Sequence, residues 1–203
     1  MTSRLTANQL SGRAISSLFF AGFGALWLSL SLYVRGSLNA LSIATVSIGL
    51  LLLVSAALWL IREARRFPKM PEDPAQGRAF NRINAIQWIA VAVVAVTLSR
   101  FHLEIYIPSA IAAIVGLHLF PLARLFGYPL HHVTALALVL WATACLLFVP
   151  VDNLQGLTAL GTGVILWISA VVSLAIGARV TRRGEIAGHT ETTGAANRTS
   201  AAA

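Results

Sequence analysis

The chain alternates long apolar runs with short polar breaks, and nowhere sustains the two-residue alternation of a half-buried strand. Six apolar blocks stand out, at about 14–34, 41–61, 83–99, 105–126, 130–150 and 157–177. Each is near the ~20 residues a helix needs to cross ~30 Å of hydrocarbon. Helices are the form that fits, because an open strand would leave backbone groups unpaired in lipid. The pattern predicts an all-α integral membrane protein, a six-helix transmembrane bundle over 14–178. A short segment, 1–13, precedes it, a polar loop at 62–82 joins the second and third spans, and a small, polar tail at 179–203 reads as disordered. The first block is too long for a signal-peptide core and lacks a convincing cleavage site, so it reads as an uncleaved span.

Composition sharpens this. The chain is 57% hydrophobic and 11% charged, where soluble domains carry roughly a quarter of charged residues. A net charge of +8 would suggest nucleic acid in a soluble protein. Here no basic stripe carries interleaved stacking aromatics, so nucleic acid is not an expected partner. The lipid bilayer is, and a homo-oligomer or larger membrane complex is the protein partner to consider.

Threading the spans puts thirteen of the Lys and Arg residues on one side and only Arg35 and Arg100 on the other. The positive-inside rule then puts both termini in the cytoplasm, in a multi-pass protein of the inner (plasma) membrane. Tyr33 and Tyr106 would lie at the outer interface, Trp59 and Tyr128 at the inner one, whereas Trp141 and Trp167 fall in mid-span and read as packing between helices. Prolines at 68, 71 and 74 suit a stiff spacer in the 62–82 loop. No internal repeat supports an inverted-repeat transporter.

Polar groups at membrane depth must face protein or trapped water. At 100° per residue, Asn81, Asn84, Gln87 and Trp88 fall within an arc of about 120° on the third span. On the fourth, Ser109, Ala112, Ala113 and Gly116 form a small-residue packing stripe, and Ser169 and Ser173 continue such a stripe, begun by Thr162, on the sixth. His118 points about 180° from Ser109, so the fourth helix should pack on two sides and hold the centre of the bundle. Pro121 leaves the Leu117 carbonyl without its usual partner and favours a bend.

His131 and His132 open the fifth span beside Tyr128. The candidate ligand-binding set is therefore Asn84, Gln87, Trp88, His118, Tyr128 and His132, converging with His131 on a cytoplasm-facing polar vestibule. Arg100 and Glu104 would pair in an outer turn. Cys145, the one cysteine, reads as a small core residue.

No G-x-S-x-G, H-E-x-x-H or Cys-x-x-Cys-His is present, and no paired carboxylates lie inside a span. The sequence thus points to no catalytic residues, no metal and no cofactor. The specific functional expectation is small-molecule binding or transport through the vestibule. The alternative is a structural or accessory subunit of a membrane complex with no ligand of its own. A haem-binding redox protein or a lipid-acting enzyme has less behind it.

Overall fold

In the computed structural model, residues 7–69, 71 and 73–182 are described in full. The chain forms α1 (Ala7–Val34), α2 (Ala40–Ala64), α3 (Pro74–Arg100), a 3₁₀ turn (Glu104–Tyr106), α4 (Ile107–Phe126), α5 (Pro129–Phe148) and α6. α6 is assigned to Val151–Ser200 and described through Arg182. The described residues contain no strand. All six helices are long and apolar enough to cross a membrane, the architecture of a multi-pass membrane protein. The expected disordered tail falls, beyond Arg182, outside the described residues.

Local chemistry sets the ends. Asn39 caps α2 by accepting from the Ser42 N–H at 2.9 Å while the Ser42 hydroxyl accepts from the Asn39 N–H, a reciprocal box. Asp73 caps α3 through the Ala75 N–H at 2.8 Å, with Pro74 at its first position. Helix α3 therefore starts well before its apolar block, and the expected 62–82 loop shrinks to a short connection. That connection folds back rather than extending away: the Pro68 carbonyl accepts from the Ala7 N–H at 3.0 Å. Gly127, at φ 64, ends α4 in the left-handed conformation and turns the chain directly into α5.

α6 holds the centre, packing against α1, α2, α4 and α5. This corrects the expectation that α4 would do so. α4 does pack on two sides, against α5 and α6 on one and α3 on the other, but it is flanking rather than central. The reason lies in α1, whose Ala7, Leu10, Ala14, Ser17, Ala21 and Gly24 form a buried stripe in steps of three and four. In lipid, helices associate through close van der Waals contact, and small residues permit it. The Gly24 and Gly163 backbones meet so closely that a methyl on Gly163 would stand 2.9 Å from the Gly24 carbonyl oxygen.

Trp167 enters this crossing. Its indole N–H donates to the Ala21 carbonyl at 3.0 Å, and its ring occupies the space a side chain at Gly24 or Gly49 would need. Trp141 likewise lies against Gly161 and donates to the Thr158 carbonyl at 3.3 Å. Both mid-span tryptophans are packing elements.

The small stripe of α4 performs as its composition suggests. Ser109 and Ala112 are fully buried, Ala113 is half-buried, and Gly116 sits against Ala135, Leu138 and Val139 of α5. The Ser109 and Thr158 hydroxyls bond at 2.9 Å, as do those of Thr134 and Ser169 at 2.8 Å. Ser173 reaches the Arg13 carbonyl at 3.4 Å. Arg100 and Glu104 form no ion pair; among the described residues the one such contact is Arg66–Glu63 at 3.1 Å.

Gly24→Ala should therefore force Trp167 from its slot and lower stability by about 1–3 kcal/mol, whereas Gly22→Ala, with nothing within 4 Å, should be near neutral. Melting temperatures of the two variants in one detergent measure the difference.

Candidate functional site

α3 is attached to the rest of the bundle chiefly through α4, and it forms no packed interface with α1. None of its residues is buried. Between α1 on one side and α3 with α4 on the other lies a cavity of about 360 Å³. It extends along α1 from Gly12 to Trp27, roughly 22 Å at 1.5 Å per residue. Ile15, Phe19, Phe23 and Trp88 line it and are also exposed on the outer surface, at 48%, 55%, 42% and 59%. The cavity thus opens sideways, between α1 and α3, at the depth of the apolar helices.

Its contents are ordered along its length. Phe80 and Phe126, whose centroids are 5.8 Å apart, close the end nearest the α4–α5 turn together with Tyr128. Besides Tyr128, five polar side chains line it: Ser16 on α1, and Asn84, Gln87, His118 and His131, which form a belt. Phe23, Trp27 and Leu166 line the far end. The walls are otherwise apolar and mostly aromatic, so the expected polar vestibule is an aromatic groove with one polar zone.

Five of the six candidate ligand residues come together here: Asn84, Gln87, Trp88, His118 and Tyr128. His132 does not. It is half-buried on another face of α5, its ring 5.9 Å from that of Phe120. His131 takes the place expected of His132, because one residue along a helix rotates a side chain by about 100°. Asn81, on the same arc as Asn84, is exposed outside the cavity.

The two imidazoles define the chemistry. His131 is only 4% exposed, its ring 5.3 Å from that of Phe20, and its Nδ1 is buried without a hydrogen-bond partner. His118 places Nδ1 at 3.4 Å from the Val115 carbonyl, and its Nε2 is likewise buried and unpartnered. A buried polar atom without a partner costs about 1–3 kcal/mol. Both side chains line the cavity, but these two nitrogens are themselves buried and present no surface to it. Among the described residues no group of three or more His, Cys, Asp or Glu side chains gathers to hold a metal ion.

Tyr128 closes the site from the turn. Its hydroxyl donates to the Gln9 carbonyl at 2.9 Å, and the Arg13 guanidinium lies over its ring at 5.1 Å. Gly12 leaves room for that hydroxyl. Burial pushes the Tyr128 phenol above its usual value, and the Arg13 charge offsets this only in part. The signal for this clamp was present in the sequence as Gly12–Arg13 and Gly127–Tyr128, but 113 residues of chain, 14–126, separate the pairs and nothing local links them.

Tyr128→Phe should loosen α1 from the turn, costing about 0.5–1.5 kcal/mol. The raised phenol also sets a pH dependence. Its contribution is intact below pH about 10 and is lost as pH climbs through the higher folded-state value. Alkaline melting curves should therefore fall less steeply for Tyr128→Phe than for the unsubstituted protein.

The chain matches no protein-family model, no curated protein and no solved structure.

Proposed function

We propose that this protein binds a small, lipid-soluble molecule in the cavity between α1 and the α3–α4 pair. The observation that carries the reading is the groove itself, about 360 Å³, mostly aromatic, and lined by the polar side chains Asn84, Gln87, His118 and His131. Ligand pockets of this size class are mainly apolar with a few polar groups that fix orientation. A hydrophilic solute fits the groove poorly, because most of its surface would lie against Phe and Trp rings. A molecule partitioned into the bilayer would exchange through the gap between α1 and α3 without crossing water.

The orientation that accompanies this reading puts the end bearing Arg13, Arg62, Arg65, Arg66, Lys69 and Arg124 in the cytoplasm, in the inner (plasma) membrane. The mouth closed by Tyr128 then faces the cytoplasmic interface. His118, eight residues above the end of α4, lies ~12 Å into the apolar layer.

One observation favours a second reading, an accessory subunit of a larger membrane complex. α3 buries none of its residues, and Trp88, Ile89, Val93 and Val96 stand exposed along it, open to a partner helix.

A native mass spectrum of the full chain from mild detergent separates the two. Binding predicts a reproducible added mass that is lost in His118→Ala and in Gln87→Ala, while the melting temperature of each variant stays close to that of the parent stripped of its ligand. The bare chain mass, together with lower melting temperatures for the same variants, would show that these side chains serve only as packing.

A further inference from the structure

The accessible polar groups of the cavity narrow the ligand further, resting on the reading of the cavity as a binding site. Three side chains that line it are half-buried and make no side-chain hydrogen bond to any described residue: Ser16 on α1, and Asn84 and Gln87 on α3. Their polar atoms are not enclosed like the histidine nitrogens, so each presents surface. An amide or hydroxyl without a partner at the depth of the apolar helices is costly, and a group from outside the protein relieves it.

These side chains stand close to one level. Both helices begin at the end of the bundle where Tyr128, Phe126 and Phe80 meet as a floor, with successive ring centroids 6.1 and 5.8 Å apart. Gly12 lies against the Tyr128 hydroxyl, and Ser16 comes four residues later. Asn84 likewise comes four residues after Phe80, so both side chains sit about 6 Å above the floor. Gln87 follows just under a turn beyond Asn84. The far end, with Phe23, Trp27 and Leu166, is apolar. A site polar at one end and apolar at the other matches a single-chain amphiphile.

The head of that amphiphile has to engage several groups at once. A lone hydroxyl or ketone brings a single oxygen to three side chains on two walls. A carboxyl brings two, and a primary amide is its counterpart in either protonation state: the amide N–H donates to the acid, and the amide oxygen accepts the O–H when the acid is neutral. Charge points the same way. No Asp or Glu lines the cavity, so a cationic head would be uncompensated. The Arg13 guanidinium, over Tyr128 at 5.1 Å, has no acidic partner among the described residues, where the one ion pair is Arg66–Glu63. The Tyr128 ring is in turn 5.6 Å from that of His131, so this positive charge acts at the polar end of the groove. A phosphate stays charged near neutral pH and would need cations on the wall itself, where none stands.

We infer that the ligand is a fatty acid, its carboxyl group held by Ser16, Asn84 and Gln87 and its chain laid along Phe23 and Trp27.

The test uses three probes that share one chain and differ at the head: tetradecanoic acid, its methyl ester and tetradecanol. Each is supplied at equal mole fraction to the full-length protein in phosphatidylcholine nanodiscs, with occupancy read from native mass spectra. The acid should bind at least about tenfold more tightly than either analogue, as expected when a site built to hydrogen-bond a group meets a ligand that lacks it. In the double variant Asn84→Leu, Gln87→Leu, which keeps similar bulk on α3, the ratio should fall to near one while the melting temperature of the ligand-free protein is retained. If that variant misfolds, the comparison of the three probes on the unsubstituted protein still decides. Ester or alcohol binding as tightly as the acid would overturn the carboxyl assignment and leave a site for apolar chains. A preference for the acid that survives in the double variant would put the carboxyl elsewhere and also overturn it. Binding of no probe, with no added mass in the protein as purified, would sink both this inference and the reading it rests on.

Discussion

The close crossing of α1 and α6 is the constraint on which the rest of the bundle depends. Lipid tails are as apolar as leucine, so burial of apolar area does not drive helices together once they are in the membrane. What remains is contact at short range, and that requires backbones that can approach. Gly24 against Gly163, with Trp167 seated over Gly24 and Gly49, supplies it and ties α1, α2 and α6 into one body. Hydroxyl pairs then fasten α4 and α5 to the same central helix: Ser109 with Thr158, and Thr134 with Ser169.

The cavity follows from that arrangement. With α1 committed to α6, α3 has only α4 to lean on, and the space between α1 and α3 stays open. Polar residues that would be glue in a closed interface are stranded at its edge. His118 and His131 each keep a buried nitrogen without a partner, in contrast to Ser109, Thr134 and Ser169, whose hydroxyls are all satisfied. Thr162 is the exception within the packed region, fully buried with an unpaired hydroxyl and not among the residues that line the cavity. Packing and site are thus two consequences of one choice of neighbours.

Much of this was legible in the chain and some was not, for identifiable reasons. Span number and approximate position follow from block length, because hydrocarbon thickness is fixed. The faces of α3 and α4 follow from helical periodicity, which put Asn84 with Gln87 and separated His118 from Ser109. The centre of the bundle is not legible in the chain, since α4 carries the more conspicuous polar residues while α6 carries the small ones that decide packing. The buried stripe of α1 is masked in the sequence by Phe19, Phe20, Phe23 and Trp27, which spread large apolar residues beyond that face. His131 and His132 could not be ranked from sequence: the choice turns on the rotation of α5, and adjacent residues leave no periodic signal. The Tyr128 clamp on Gln9 and Arg13 is a contact between distant segments, which only the folded arrangement reveals.

The central claim is that the gap between α1 and α3 is a built cavity rather than a loose fit. A high-resolution density map of the protein in bilayer nanodiscs, prepared without added ligand, tests it directly. The account predicts α1 and α3 held apart, with density in the cavity touching the belt of Asn84, Gln87, His118 and His131 and reaching toward the side opening. A map in which α3 has closed onto α1, with Phe19, Phe23 and Trp88 interleaved and both imidazoles hydrogen-bonded within the protein, would contradict it.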